Sequence, residues 1–378
     1  MRLGKVKINH YINYLVIGLM TLVLGIMSAS GAGFDSSMLF LLEKIAISII
    51  LAVSLSLVVG FLGELSLGHA GFMCIGAYIG GKVSALLVPS MGNGLLPLLI
   101  ALVVGCAAAA VCGAIVGIPA LRLRGDYLAI VTLAFGEIVK SLFLNTSEKT
   151  FGGTLGLDTP RYDKDYLFII AFVLVLVTLA IVQNYIRSKH GRAVTAIRDN
   201  EIAARATGIN VTKYKLLVFT ISAFFAGIAG VLFSFSQFSV QPSTFDYNYS
   251  IEILVMVVLG GMGSLGGSLI SAALITFLNE QLQIILTGDR AVLKDLLYAL
   301  ILIVLIIYRN TPALKGFREK VSLKNLLGRF RKAKDPSHIT DDEHKWDRVP
   351  TKINIDEVLS LDLQTSSPYT PDKPTKEK

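Results

Sequence analysis

The chain has 378 residues, of which 53% are hydrophobic and 16% are charged. Ordinary soluble domains contain about 45–50% apolar and about 25% charged residues. Several apolar runs here reach the roughly 20 residues that one helix needs to cross a bilayer. The composition therefore excludes a soluble enzyme as the default, as well as a secreted disulfide scaffold and a disordered chain. The three cysteines, Cys74, Cys106 and Cys112, lie in apolar runs without a CxxC pair, which indicates neither disulfides nor a metal site.

Charge is distributed unevenly along the chain, whose formal net charge is +8. Residues 335–378 contain ten acidic and six basic residues, so the remainder holds 29 basic and 17 acidic ones. This polar tail, with its several Pro, Ser and Thr residues, predicts a disordered cytoplasmic segment. A basic juxtamembrane segment at 311–334 precedes it, and residues 1–310 are predicted to form the transmembrane domain.

Ten apolar runs predict an all-α membrane protein with about ten transmembrane helices. The first run, Tyr11–Met27, has two interpretations: a secretory signal peptide cleaved near Ser28, or a retained first helix, which the number of later spans favours. The two runs on either side of Gly266 can also be one long or re-entrant segment. The other runs are 38–60, 64–88, 95–118, 127–145, 166–187, 214–236, 250–264, 267–286 and 292–308.

Basic loops predict the orientation of these spans. The segment Arg187–Lys215 has seven Lys or Arg residues against two acids, and Arg309–Lys334 has nine against one. The positive-inside rule places such loops in the cytoplasm. With ten crossings, both termini then lie on the cytoplasmic side as well.

The sequence lacks the common motifs of nucleotide and metal sites. It contains no GxxxxGK[ST] loop, and no HExxH or paired His/Cys cluster. The glycine-rich stretch Gly260–Gly267 has no lysine and lies between apolar runs. We therefore expect no catalytic residue, no metal and no cofactor bound by this chain, and a membrane enzyme is the less favoured class.

The first segment that departs from a uniformly apolar transmembrane helix is Gly60–Gly81, in which seven of 22 residues are glycine. Glycine weakens a helix by about 1 kcal/mol relative to alanine, and irregular backbone persists in a bilayer only where protein or water satisfies it. Two interpretations stay open: close helix packing through Gly76 and Gly80, or a solute pathway at a broken helix. The pathway candidates here are Glu64, Ser66, Gly68 and His69.

The second departure is the pair Glu137 and Lys140, in the apolar run that Asp126 begins. Their i, i+3 spacing puts both side chains on one helical face, which predicts a shielded ion pair. Alternatively, Glu137 lines the route of a polar solute, since ionisable groups at membrane depth usually face a bundle interior or water.

The third departure is the basic segment Gly191–Lys215. Asn200 is a suitable N-cap and Gly208 a suitable C′ residue, so the segment predicts a helix of about two turns between them. Such a short helix gains little from local propensity, and we expect it to dock into a groove on a partner; the alternative is that it lies on this protein's own membrane face. The candidate contact residues are Arg198, Asp199, Glu201, Ala203, Ala204 and Gly208.

Six segments, in order along the chain, carry a family resemblance: Leu65–Phe72 with Gly76–Tyr78, Leu123–Ile130, Gly152–Leu157, Gly191–Asn210, Tyr214–Gly230 and Val258–Gly267. Together they resemble the branched-chain amino acid ABC transporter permeases of the LivM type, over roughly residues 38–310. The resemblance implies that 188–213 is the loop that couples to a cytoplasmic ATPase. That loop's pattern is Glu-Ala-Ala, three residues, then Gly. Ala203, Ala204 and Gly208 match it, whereas Ile202 stands in place of the glutamate and Glu201 comes one position early.

The resemblance also implies an ABC importer permease fold in a bacterial cytoplasmic membrane. The implied partners are two ABC ATPase subunits, which use ATP and Mg, a second related permease subunit, and an extracytoplasmic solute-binding protein; the lipid bilayer surrounds the complex, and no nucleic acid is expected. The implied solutes are leucine, isoleucine and valine, with urea, short amides or another amino acid as alternatives. An ion-coupled secondary transporter and an anchoring protein without a pathway are the remaining classes.

Overall fold

The computed structural model describes residues 36–92, 94–121, 123, 125–160, 164–286, 293 and 296–303, which lie in one compact unit, Met1–Asn310. Over these residues the protein is an almost entirely helical, polytopic membrane protein. The predicted span Tyr11–Met27, the basic segment 311–334 and the tail 335–378 lie outside the described residues.

Eleven α-helices follow one another between residues 36 and 285, and the described residues 296–303 form a further helical segment. The eleven are α1 (Ser36–Ser56), α2 (His69–Met91), α3 (Leu95–Ala120), α4 (Asp126–Leu144), α5 (Glu148–Phe151), α6 (Lys164–Arg187), α7 (Lys189–Asp199), α8 (Glu201–Ala206), α9 (Val211–Ser236), α10 (Tyr247–Gly260) and α11 (Leu265–Ile285). All except α5, α7, α8 and α10 are long and apolar enough to cross a bilayer.

The predicted count of ten spans is not confirmed. Seven described helices meet the length and hydropathy of a span, and the predicted run 250–264 is the shorter helix α10. The run 292–308 is described only at 293 and 296–303, where residues 296–303 are helical. The runs on either side of Gly266 form two separate helices, because the chain turns after Gly260 and the Ser264 side chain caps the start of α11.

The predicted break in the helical backbone lies between α1 and α2. Helix α1 continues into a π-helical turn, Leu57–Leu62, and Gly63 ends it in the left-handed region at φ +79°. Residues 63–68 are irregular, so α2 begins at His69, five residues later than the predicted run. A π-helical turn is rare and is often found at functional sites.

Small residues bring α2, α3 and α9 into close contact at the centre of the bundle. A Cβ atom on Gly76 of α2 would lie 2.4 Å from the carbonyl oxygen of Gly227 on α9, and one on Gly80 would lie 2.6 Å from a Val231 methyl group. Only glycine allows backbones to approach this closely. The packing interpretation therefore accounts for both of these glycines.

The loops after α4 and after α9 are joined by a short antiparallel pair of strands, β1 (Leu157–Asp158) and β2 (Ser239–Val240). The hydroxyl of Tyr78 on α2 donates a hydrogen bond of 2.7 Å to the Val240 carbonyl oxygen. Its ring stacks on Phe143 of α4, with 4.2 Å between ring centroids. This end of the bundle is thus fixed by backbone pairing and aromatic packing.

We predict that Gly76→Ala lowers the thermal unfolding midpoint of the purified protein, because the added methyl group overpacks the contact with Gly227. Overpacking a well-packed interior costs about 1–3 kcal/mol. The matched control is Gly94→Ala, where a Cβ atom meets nothing within 4 Å. Equal midpoints for the two variants would contradict the packing role of Gly76.

Candidate functional site

The short helix predicted between Asn200 and Gly208 is present as α8. The Asn200 side chain accepts a hydrogen bond of 3.0 Å from the Ala203 amide, which caps the helix start. Gly208 adopts φ +85° after the helix end, and the next amide, that of Ile209, donates to the Ala204 carbonyl oxygen over 3.1 Å. These bonds are the capping pattern expected of an N-cap asparagine and a C′ glycine.

Helix α8 has an inner side, which faces the rest of the protein, and an outer side. The two alanines that match the coupling-loop pattern, Ala203 and Ala204, lie on different sides of the helix. Ala204 is buried against the protein, whereas Ala203 and Ala206 are exposed. Ile202 is 78% exposed and forms an exposed apolar patch with Ala203 and Ala206, while the exposed Arg205 pairs with Glu201. An exposed aliphatic residue beside alanines allows a partner surface to approach closely.

The inner side of α8 is held by a buried ammonium group. The Lys215 side chain on α9 is 4% exposed, and its Nζ donates to Glu64 Oε1 over 2.5 Å and to Glu201 Oε2 over 3.1 Å. Glu201 Oε1 also accepts from the Arg205 guanidinium over 2.6 Å. A buried charge is tolerated only when it is paired and hydrogen-bonded. Lys215 therefore joins α8 to the irregular segment after α1.

Arg198 forms a second link between the loop and the broken helix. Its Nη1 donates to the carbonyl oxygen of Gly60, within the π-helical turn, over 3.1 Å. Its Nε and Nη2 donate to Asp199 Oδ1 over 3.1 and 2.9 Å, which orients the guanidinium group. The predicted coupling residues and the predicted break are thus in direct contact, although Glu64 and Lys215 are 151 residues apart.

The four pathway candidates at the break have different surroundings. Glu64 is the partner of Lys215. Gly68 lies against α4, where a Cβ atom would be 2.2 Å from the Thr132 carbonyl oxygen. His69 is buried, with Nε2 2.7 Å from Ser54 Oγ on α1.

Ser66, the fourth candidate, is buried at the same break. Its hydroxyl has no hydrogen-bond partner among the described residues. Of the four candidates, Ser66 alone has a fully buried side-chain oxygen or nitrogen without a partner in the part of the chain that the structure describes.

Glu137 forms the predicted pair with Lys140, at 2.7 Å between Oε2 and Nζ. Its Oε1 also accepts a hydrogen bond of 3.0 Å from the Tyr247 amide, the first residue of α10. A carboxylate at this position stabilises a helix start by accepting one of its unpaired amides. The structure therefore joins Glu137 to α10 and not to the other candidates.

A second polar cluster was missed in the sequence analysis. A cavity of about 320 Å³ lies between α1, α9, α10 and α11, and its charged lining residues are Lys44, Glu252 and Glu280. The signal was present in the sequence, since each of the three interrupts a predicted apolar run. Among the described residues, no group of three or more His, Cys, Asp and Glu side chains is placed to hold a metal ion.

Residues 37–307 match the family model described as the permease component of the branched-chain amino acid transport system. The chain belongs to this permease family. The LivM proteins of Salmonella typhimurium and Escherichia coli, high-affinity branched-chain amino acid transport system permeases, are each 37% identical to it, over 313 and 310 residues. Each alignment covers 74% of this chain and 70% of the relative. No solved structure matches the chain.

The permease family also includes sugar permeases. The ribose import permease RbsC of Escherichia coli is 29% identical over 295 residues, which cover 71% of this chain and 85% of that protein. The fructose import permease FruF of Bifidobacterium longum is 25% identical over 326 residues, or 81% of this chain and 86% of the relative. Permeases of this family are transport subunits, so the chain is a transport subunit and not an enzyme.

We predict that Lys215→Met lowers the free energy of unfolding by about 3–5 kcal/mol, because it leaves two carboxylates around a buried site without their shared cation. The measurement is thermal or denaturant unfolding of the purified protein. Lys213→Met, an exposed change on the same helix, is the control. Adding Glu64→Gln to Lys215→Met should restore part of the loss, and strictly additive effects would contradict the ion-pair role.

Proposed function

We propose that this chain is the membrane-spanning permease subunit of an ATP-driven ABC importer for leucine, isoleucine and valine. The LivM relatives support the solute class. The surroundings of α8 support the coupling: Ile202, Ala203 and Ala206 form an exposed apolar patch, and the inner side of the helix is bonded to the broken helix. The complex proposed from the resemblance contains two ATPase subunits, a second permease and an extracytoplasmic binding protein, with ATP and Mg used by the ATPases.

The observation that carries this proposal is the Lys215 ion-pair cluster. A partner that moves α8 also moves Glu201, and the Lys215 ammonium transmits this movement to Glu64. The Arg198 bond to the Gly60 carbonyl oxygen transmits it to the π-helical turn. ATP-driven closure of the ATPases would therefore displace the end of α1, where the backbone is already irregular and little regular hydrogen bonding has to be broken.

The proposed location is the bacterial cytoplasmic membrane, with both termini and α8 on the cytoplasmic side. The basic segment Arg187–Lys215 supports this orientation through the positive-inside rule. The paired strands β1 and β2 would then lie at the extracytoplasmic end. Urea, short amides and other amino acids are the alternative solutes, and the sugar permeases in the family show how far the solute class varies.

An ion-coupled secondary transporter is the second class of transport mechanism. Its candidate for an ion or proton site is Glu137, an ionisable residue about halfway along its apolar run. In the structure both oxygens of this carboxylate are occupied, one by Lys140 and the other by the start of α10. These contacts favour a structural role, and uptake that ignores ATP depletion would be the result in support of ion coupling.

We predict that Ala203→Glu abolishes leucine uptake and co-purification of the ATPase subunits, while the protein stays in the membrane in normal amount. The change introduces a charge into the exposed apolar patch of α8, at a position where the coupling-loop pattern has alanine, without touching the inner contacts of the helix. Leu155→Glu is the matched control, because Leu155 is 70% exposed and lies outside the coupling loop. Co-purification is measured by mass spectrometry after mild detergent extraction. Recovery of the ATPases with Ala203→Glu would exclude docking through this surface.

We also predict that Gly208→Val reduces uptake at least tenfold, whereas Gly208→Asn retains most of it. No atom lies within 4 Å of a Cβ atom at Gly208, so the effect is one of backbone strain at φ +85° and not of crowding. Asparagine tolerates the left-handed region, and a β-branched residue does not. Equal uptake by the two variants, at equal membrane abundance, would contradict a fixed end of α8.

A further inference from the structure

The cavity between α1, α9, α10 and α11 has a polar side of ionisable groups. Lys44 Nζ on α1 pairs with Glu280 Oε1 on α11 at 2.6 Å. Glu252 Oε1 on α10 accepts hydrogen bonds from Asn279 Nδ2 at 3.2 Å and from the Tyr298 hydroxyl at 3.0 Å. Ionisable groups on apolar membrane helices are costly, and they commonly mark the route of a solute or ion.

One hydroxyl in the cavity lining is without a partner. Thr276 on α11 is only 7% exposed, and its Oγ1 makes no hydrogen bond to any described residue. A buried, unsatisfied hydroxyl costs about 1–3 kcal/mol. Buried Thr178 on α6 shows the usual solution, since its hydroxyl donates to the Leu174 carbonyl oxygen at 2.7 Å. Thr276 is therefore placed to bond a molecule inside the cavity.

The other side of the cavity is apolar and is formed by Ile47, Phe233 and Met256. A cavity of about 320 Å³ is at the lower end of the range for small-molecule sites, which is roughly 300–1,000 Å³. The cavity thus offers charges on one side and aliphatic and aromatic surface on the other. This division matches a small amphipathic solute.

Helix α10, which supplies part of the lining, is a half-length helix. Its 14 residues span about 21 Å at 1.5 Å per residue, which is less than the roughly 30 Å of a bilayer core. Discontinuous helices of this kind border the solute sites of many transporters. In this protein the polar residue Glu252 lies on that helix, with Met256 one turn further along.

We propose that this cavity binds the zwitterionic backbone of an aliphatic α-amino acid, as a station on its route through the permease. The proposal rests on the proposed function. The ammonium group of the solute binds Glu252, and its carboxylate binds Lys44 and the Thr276 hydroxyl. The aliphatic side chain contacts Ile47 and Met256.

The charges of the lining favour a zwitterion over a neutral solute. One lysine and two glutamates are among the described residues that line the cavity, so an ammonium group and a carboxylate each find a side chain of opposite charge there. A lysine has three N–H donors, and Lys44 therefore retains donors for a carboxylate beside its bond to Glu280. Urea and sugars carry neither charge and gain nothing from these groups.

The first test is cysteine accessibility at Thr276 in membrane vesicles that contain the full chain and its partner subunits. Thr276→Cys should react with 2-aminoethyl methanethiosulfonate, and leucine should protect it. Leucinamide, which lacks the carboxylate, and 4-methylpentanoate, which lacks the ammonium group, should protect at least tenfold less well. The unsubstituted chain controls for the three native cysteines, and Thr178→Cys for a buried threonine outside the cavity.

Leucine uptake by cells with the unsubstituted chain separates the two proposals. If these cells show no uptake that depends on the chain, the proposed function fails. If they take up leucine but Thr276→Cys is unreactive, or reacts without protection by leucine, the cavity proposal alone is overturned. Protection by urea in place of leucine overturns the amino acid class of the site.

A second test removes the negative charge of Glu252 while it keeps the size of the side chain. Glu252→Gln keeps its acceptor for Asn279 and Tyr298 but loses the partner for an ammonium group, so leucine uptake should fall about tenfold at equal membrane abundance. Glu148→Gln, an exposed change on α5, is the control. Normal uptake by Glu252→Gln would overturn the assignment of this carboxylate.

Discussion

The buried ammonium group of Lys215 holds together two parts of the protein that are far apart in sequence, the loop that contains α8 and the end of α1. It is shielded from water and lies between a carboxylate on the short helix α8 and one in the irregular segment after α1. Because a buried charge that loses its partner is strongly destabilising, α8 and the end of α1 cannot separate without a large cost. The Arg198 bond to the π-helical turn adds a second link between the same two segments.

The rest of the bundle provides a rigid frame around this link. Helices α2, α3 and α9 approach so closely that Gly76 has no room for a methyl group, and the middle of α2 is fixed through Tyr78 to the paired strands. Regular helices packed at this distance transmit movement with little deformation, because protein interiors are close-packed. The irregular residues 63–68 and the half-length helix α10 are the departures from that regularity, and both lie beside polar groups.

Two polar regions of the described bundle have different tasks in the proposed mechanism. One joins the basic loop to the broken helix and contains Glu64, Arg198, Glu201 and Lys215. The other is the cavity around Lys44, Glu252 and Glu280, formed by different faces of the bundle. Helix α1 contributes to both, with Lys44 near its start and Gly60 in the π-helical turn that extends it. In the proposed mechanism this helix is the element through which a movement of α8 reaches the solute.

Sequence reasoning determined what depends on neighbours along the chain. It predicted most of the described membrane helices, the break near residue 64, the caps of α8 at Asn200 and Gly208, and the Glu137–Lys140 pair, because hydropathy, capping and i, i+3 spacing are local. Only the tertiary structure decided what depends on residues far apart in sequence. It paired Lys215 with Glu64, separated Ala203 from Ala204 by the direction in which each faces, and joined four helices around a cavity. A local pattern records that a polar residue is present in an apolar run, but its partner is set by how the helices pack.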